Sequence, residues 1–298
     1  MGVISIAGFY DLHIHSSPAP FVRIGDSEDI ARWCAEAGMA GICIKSHFES
    51  TVSKVHHARK HLAADYPDFR VFSSIALNRG VGGVNPGAVE LALEQGAKIV
   101  WLPTMDAAAH AEAFGGVGTW GLRSMTVGAR LKGSPRGGYT VLAGGRLTEE
   151  TKEVIALSQA YDAVLATGHL GRDEVFAVIE HGASIGHRRL VVTHPEFRVP
   201  NLPEDDILQL AAMGARFEFC AVNTFPLNRL HSVEHIRDMI LGVGVEHCIV
   251  STDAGQLFNP PPPETMRVFV QSLHELGVDE ATIRALCIDN PRRLVEGD

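Results

Sequence analysis

Eight short apolar runs with helical patterning between them constrain this 298-residue chain more than any other feature. They occupy residues 3–15, 40–45, 71–77, 98–103, 163–167, 190–193, 216–221 and 248–252. Most follow one another at about 25–35 residues, the size of one strand–helix unit. Strands alternating with helices make a parallel sheet. Eight such units in a chain of this length predict an α/β fold of the TIM (β/α)8 barrel type rather than a doubly wound sheet, with 1–298 as one domain.

The helices carry their own punctuation. Asp26-Ser27 precedes a helix over 28–37 that Gly38 stops, and Asn85-Pro86 opens one over 87–95 that Gly96 closes. Thr148, followed by Glu149 and Glu150, opens another with acids at the positive end of its dipole.

One interval breaks the rhythm. Residues 105–147, rich in Gly and Ala, form an insertion between strands 4 and 5. Within it 139–142, Gly144-Gly145 and 146–147 have the pattern of a small hairpin. In a barrel this insertion sits on a βα loop over the catalytic face. It reads equally as a lid, more mobile than the strands because Gly-rich loops lose much entropy on ordering, or as a surface excursion that contacts another copy of the chain. Residues 116–121 match G-x-G-x-x-G. They lack the preceding strand, the following helix and the acid about 20 residues on that a dinucleotide site requires.

Composition narrows the function. The net charge of −9 argues against nucleic acid or an anionic membrane as partner. No apolar run reaches the roughly 18 residues of a membrane span, and residues 1–9 lack the features of a signal peptide. The five scattered cysteines include no C-x-x-C, which speaks against a disulfide framework or a zinc ribbon. The expectation is a cytoplasmic protein acting on a small-molecule substrate.

Chemistry gathers at the ends of the runs. The first ends in Tyr10-Asp11-Leu12-His13-Ile14-His15, whose alternation puts Asp11, His13 and His15 on one face, with the two imidazoles about 7 Å apart along the strand. The second ends in Lys45-Ser46-His47, the fifth in Gly168-His169, the sixth in Thr193-His194 and the eighth in Thr252-Asp253. In a parallel barrel these ends share one mouth. Imidazoles with a carboxylate suit Zn²⁺, Mn²⁺, Fe²⁺ or Ni²⁺, zinc being the default. Such an ion lowers the pKa of water toward about 7, and Asp253 can both bind metal and accept the proton. Glu218 reads as a pocket residue or a buried partner of Arg216. Asn78, Arg79 and Asn85 follow the third run and could face substrate, Asn85 equally as a helix cap. His47 lines the mouth or points along its loop. His110, in the insertion, is expected to be exposed, as are His56, His57 and His61 on one helix.

His-x-His on strand one, single histidines on strands five and six, and Asp on strand eight resemble the amidohydrolase superfamily of metal-dependent TIM-barrel hydrolases, from Asp11 to Asp253. Residues 41–47, Leu77-Asn78, Gly82-Gly83-Val84-Asn85-Pro86 and Val100-Trp101-Leu102-Pro103-Thr104 are similar to a little-characterised cytosolic subgroup. The resemblance implies His13, His15, His169 and Asp253 as metal ligands, with His194 serving a second metal or the substrate. It implies hydrolysis of an amide, lactone or related bond by metal-activated water, with Asp253 as general base. Non-oxidative decarboxylation by a lyase of the same superfamily is the alternative, and a non-catalytic binding barrel the third reading. The chain departs from the binuclear pattern because strand four ends Leu102-Pro103-Thr104, with no bridging Lys or Glu. Either one ion binds, or a second is bridged from elsewhere. Lys45 is the candidate: a carbamylated metal ligand, a cation for an anionic substrate group, or a side chain turned outward to Glu49.

Overall fold

A computed structural model describes residues 2–120, 137–226 and 228–297. Strands β1 (Tyr10–His15), β2 (Gly41–Lys45), β3 (Arg70–Ala76) and β4 (Ala97–Trp101) are followed by the hairpin strands β5 (Leu142–Ala143) and β6 (Arg146–Leu147). Then come β7 (Val164–Ala166), β8 (Leu190–Thr193), β9 (Arg216–Cys220) and β10 (Cys248–Ser251). The eight long-range strands pair in parallel in the order β1-β2-β3-β4-β7-β8-β9-β10. The sheet closes where Ile14 bridges Ala254 in parallel and His15 N donates to Ala254 O at 2.8 Å. Buried Asp11 stitches the same seam, its carboxylate accepting from Thr252 N at 3.0 Å and Thr252 Oγ1 at 2.6 Å. The result is the expected TIM-type barrel.

Helices cover the outside: α1 (Ser27–Glu36), α2 (Val52–Leu62), α3 (Pro86–Glu94), α4 (Ala108–Phe114), α5 (Glu149–Ala160), α6 (Arg172–Ser184), α7 (Glu204–Ala212), α8 (Val233–Val243) and α9 (Pro262–Glu275). After β10 and α9 come α10 (Glu280–Arg284), a π-helical turn and α11 (Asn290–Glu296). The sequence signals act where they were read. Asp26 caps α1 reciprocally with Asp29, Asn85 accepts from Ala88 N, and Thr148 accepts from Thr151 N. No helix among the described residues is long and apolar enough to cross a membrane.

Apolar side chains fill two layers. Ile42, Ile44, Val100, Leu165, Val192, Phe219 and Val250 face outward against helical residues such as Ile30, Val55, Val178, Ile207 and Phe269. Tyr10, Leu12, Cys43, Ala76, Ile99, Trp101, Ala166, Val191 and Ile249 fill the barrel interior. Each fully buried Leu, Ile or Phe contributes about 1.5–3 kcal/mol, so these layers fix which strand ends meet at the mouth.

Two expectations need correction. The first run does not form one strand from residue 3, because Gly8 adopts φ +80° and turns the chain before Tyr10. Asp11 does not share a face with His13 and His15. The β1–β2 register shifts between Asp11 and Ile14, which sends Asp11 to the seam while both imidazoles face inward.

Candidate functional site

The strand C-terminal ends surround a cavity of about 30 Å³, lined by His13, His15, Lys45, His47, His169 and Asp253 below. Phe21, Arg23, Trp120, Phe197, Val222, Asn228 and Gln256 complete its wall. That is room for about two waters or one small polar group, in a cavity that is not fully enclosed. Trp101, 1% exposed, packs beneath two of these residues, with the His13 ring 5.6 Å and Lys45 Nζ 4.8 Å from its ring.

The hydrogen-bond network sets the histidine tautomers. His13 Nδ1 donates to Glu218 Oε2 at 3.1 Å, and His15 Nδ1 donates to the Lys45 carbonyl at 3.2 Å. His110 Nε2 donates to Thr119 O at 2.8 Å, which leaves His110 Nδ1 to accept from His169 Nδ1, also at 2.8 Å. All three candidate ligands therefore keep a bare Nε2. Asp253 Oδ1 lies 3.3 Å from His13 Nε2 and 3.0 Å from His15 Nε2. One donor atom each from His13, His15 and Asp253 falls within 4.8 Å of the others. His47 Nδ1 hydrogen-bonds Thr104 Oγ1 at 2.8 Å, and the same hydroxyl accepts from Asn78 Nδ2 at 2.6 Å, so either partner of the His47 bond can be its donor.

Backbone geometry aims these groups. Asp253 and His194 follow their strands with φ +52° and +30°, conformations that non-glycine residues adopt at a cost of about 1–3 kcal/mol. Gly168, φ +63°, lies where a Cβ would come within 2.4 Å of Leu102 O, so only glycine delivers His169 to its place. The His169 and His194 rings lie 5.0 Å apart, and His194 Nδ1 is buried with no hydrogen-bond partner among the described residues.

Burial shapes the electrostatics. It holds His47 and His169 well below the usual imidazole range and His194 at about 3, so all three are neutral at pH 7. His15 also falls to about 3, through burial and then the charge of Arg23. Burial alone would raise Asp253; it is nevertheless held well below the carboxylate range, with Lys45 among the groups that lower it. Lys45 is pushed down by burial, against the attraction of Asp253 and Glu218.

The other expected residues have these places. Lys45 Nζ lies 2.9 Å from His13 Nε2, not outward, and Glu49 pairs with Lys54 at 2.6 Å instead. Glu218 is tied to His13, whereas Arg216 reaches His247. Asn78 is spent on the protein itself: it donates to His47 O and Thr104 Oγ1 and accepts from Thr104 N and Asp106 N. Asn85 caps α3, donates to Val81 O and is not among the cavity-lining residues. His110 was expected to be exposed and is fully buried behind His169, while His56, His57 and His61 are exposed. The insertion thus brings His110 and Trp120 to the site, and its residues 121–136, including Gly121 of the G-x-G-x-x-G match, lie outside the described residues. Sequence reading missed Arg23, Trp120 and Phe197, which sit on loops with no periodic signal. For Arg23 the hint available was its place just after the His-x-His strand.

The chain matches, over residues 8–218, the "Family of unknown function (DUF6282)". No curated protein matches it. Among solved structures it is similar to an amidohydrolase from Pseudomonas aeruginosa, with TM-score 0.64 and 13% identity over 98% of this chain and 96% of that one. It is also similar to the phosphotriesterase homology protein from Escherichia coli, complexed with phosphate in its active site, with TM-score 0.59 and 12% identity over 97% and 99% of the two chains. A 2,6-dihydroxybenzoate decarboxylase complexed with 2,6-dihydroxybenzoate gives TM-score 0.56 and 12% identity, again over 97% and 99%. The likeness is one of fold, which in this chain is an eight-stranded parallel barrel. Because the family match spans more than half of its length, this chain belongs to DUF6282, a family of unknown function.

Proposed function

We propose that this protein is a metal-dependent hydrolase acting on an amide, lactone or related bond of a small molecule. One observation carries the reading: the bare Nε2 atoms of His13 and His15 face Asp253 Oδ1 at 3.3 and 3.0 Å, acceptors against an acceptor. Such a set calls for a cation, and Lys45 Nζ donates to His13 Nε2 at 2.9 Å in its place. The donors fit a divalent ion chemically, since each imidazole is oriented by a partner on its Nδ1. His13, His15, His169 and Asp253 would hold it, and His194, with its unpartnered nitrogen, would complete the set or meet substrate. Zn²⁺ is the ion this donor set favours, ahead of Mn²⁺, Fe²⁺ or Ni²⁺. One ion is proposed rather than two, because the polar side chain at the end of β4, Thr104, is already committed to Asn78 and His47.

When bound, the ion supplies Lewis acidity that makes water acidic enough to be deprotonated near pH 7. The remaining steps belong to the chain. Asp253 Oδ1 faces the imidazoles, which leaves its second oxygen to accept the proton of water and return it to the leaving group. His47, on the cavity wall, serves an oxygen that gains negative charge in the tautomer that carries its proton on Nε2. Phe21, Trp120 and Phe197 exclude bulk water, which strengthens both interactions.

Decarboxylation is the second reading, favoured by the likeness of fold to a decarboxylase that binds an aromatic carboxylate. Purified protein should carry about one equivalent of a divalent ion, lost in a His13→Ala/His15→Ala variant. A panel of amides and lactones, with carbon dioxide release measured beside it, separates the two reactions. Full metal content in the double variant would remove the basis for both.

A further inference from the structure

Arg23 stands outside the donor set, yet it is only 9% exposed. It lies in the loop between β1 and α1 and lines the cavity beside His15, His47 and Asp253. Its backbone bridges Gln256 in antiparallel fashion, and Ile24 N donates to Gly255 O at 3.1 Å, so its loop is pinned to the segment that follows Asp253. The guanidinium carbon lies 5.6 Å from the centroid of the Phe21 ring. Arg23 Nε is buried and has no hydrogen-bond partner among the described residues. Burial lowers its pKa only to about 10, which leaves a full positive charge at pH 7.

A buried guanidinium with an unmet N–H is costly, and such a group ordinarily has an anion for partner. The protein carboxylate whose charge Arg23 feels is that of Asp253, whose Oδ1 already faces His13 and His15. The fork geometry of arginine matches a planar oxyanion on two points, which a lysine does not. Around it, Phe21, Trp120, Phe197 and Val222 offer apolar and aromatic surface for a carbon skeleton.

We infer that Arg23 reads a carboxylate on the substrate, so that this cavity takes monoanionic carboxylate-bearing small molecules, their skeleton held by Phe21, Trp120 and Phe197. A single guanidinium beside the negative charge of Asp253 suits a monoanion better than a phosphate dianion. This names the substrate class of the proposed hydrolase and rests on that reading for its chemistry, though not for its binding.

The test measures binding of acetate, propionate and phenylacetate, each against its neutral amide, with inorganic phosphate as a further probe. Calorimetry is run on chelator-treated and on zinc-loaded protein, for the wild type, Arg23→Gln and Arg23→Lys, with circular dichroism to establish folding of each variant. At least one carboxylate should bind wild-type protein tenfold or more tightly than its amide, with and without zinc. Arg23→Gln should lose that preference and Arg23→Lys keep part of it. The inference is overturned by no measurable carboxylate binding, by equal affinity within every pair, by a preference that survives in Arg23→Gln, or by one that exists only with zinc. Binding of phosphate in preference to every carboxylate overturns the assigned class. Carboxylate preference in a protein that takes up no metal would end the hydrolase reading and leave Arg23 as the anion reader.

Discussion

Glu218 Oε2 on β9 accepts the Nδ1 proton of His13 on β1 across the barrel, at 3.1 Å and with both side chains buried. The bond fixes the ring orientation and turns the other nitrogen toward the cavity. Carboxylates that orient a ligand histidine are typically worth 10–100-fold in metal affinity. Glu218→Gln keeps an acceptor without the charge and is expected to bind zinc about tenfold more weakly, read by competition with a chromophoric chelator. An unchanged affinity would show that the pair serves packing alone.

Asp253 should be the residue whose loss is felt most in turnover. Once a hydrolysed substrate is in hand, Asp253→Asn is expected to lower kcat by roughly 10²-fold or more, because a proton acceptor is removed while the side-chain shape is kept. Near-normal turnover would place the base elsewhere.

Lys45 Nζ and a resident ion compete for the same lone pair on His13 Nε2. Lys45→Met, which keeps contact with Trp101 and removes the amine, should therefore bind zinc at least as tightly as wild type, measured by the same competition. Loss of metal in this variant would instead identify Lys45, after uptake of carbon dioxide, as a ligand.

His187, away from the site, gives a stability prediction with a definite sign. Its Nδ1 accepts from Arg189 N at 3.2 Å, and burial lowers its pKa from 6.5 to about 4. The unfolded chain binds the proton more readily, so the contribution is fully present above pH 6.5 and is lost as pH falls toward 4. At pH 5 the loss amounts to about 2 kcal/mol. Urea titrations at pH 7.5 and pH 5 should show a smaller drop for His187→Gln than for wild type. Equal drops would refute the assignment.

What the sequence disclosed follows from what is local or periodic. Eight apolar runs became eight barrel strands because inward and outward positions repeat along each strand. Asp26, Asn85 and Thr148 were legible as caps because a cap acts within three residues. The strand-end residues His13, His15 and Asp253 were legible because a parallel barrel gathers those ends. Asp11 was misplaced because a register shift has no sequence signature. His110 and Arg23 reach the cavity from irregular segments whose course depends on contacts far along the chain, with His169 and Gln256 respectively.

The seam between β1 and β10 also sets the order in which this molecule can be assembled. Asp11 and Thr252, which close the ring, are 241 residues apart in sequence. Such non-local pairing is slow to form, and until it forms the edge of β1 stays open to other chains. During synthesis the first strand, with its two imidazoles, waits for nearly the whole chain before its carboxylate partner arrives. An ion that needs His13, His15 and Asp253 together therefore cannot template early folding, and metal uptake in a nascent-chain series would mark the moment of ring closure.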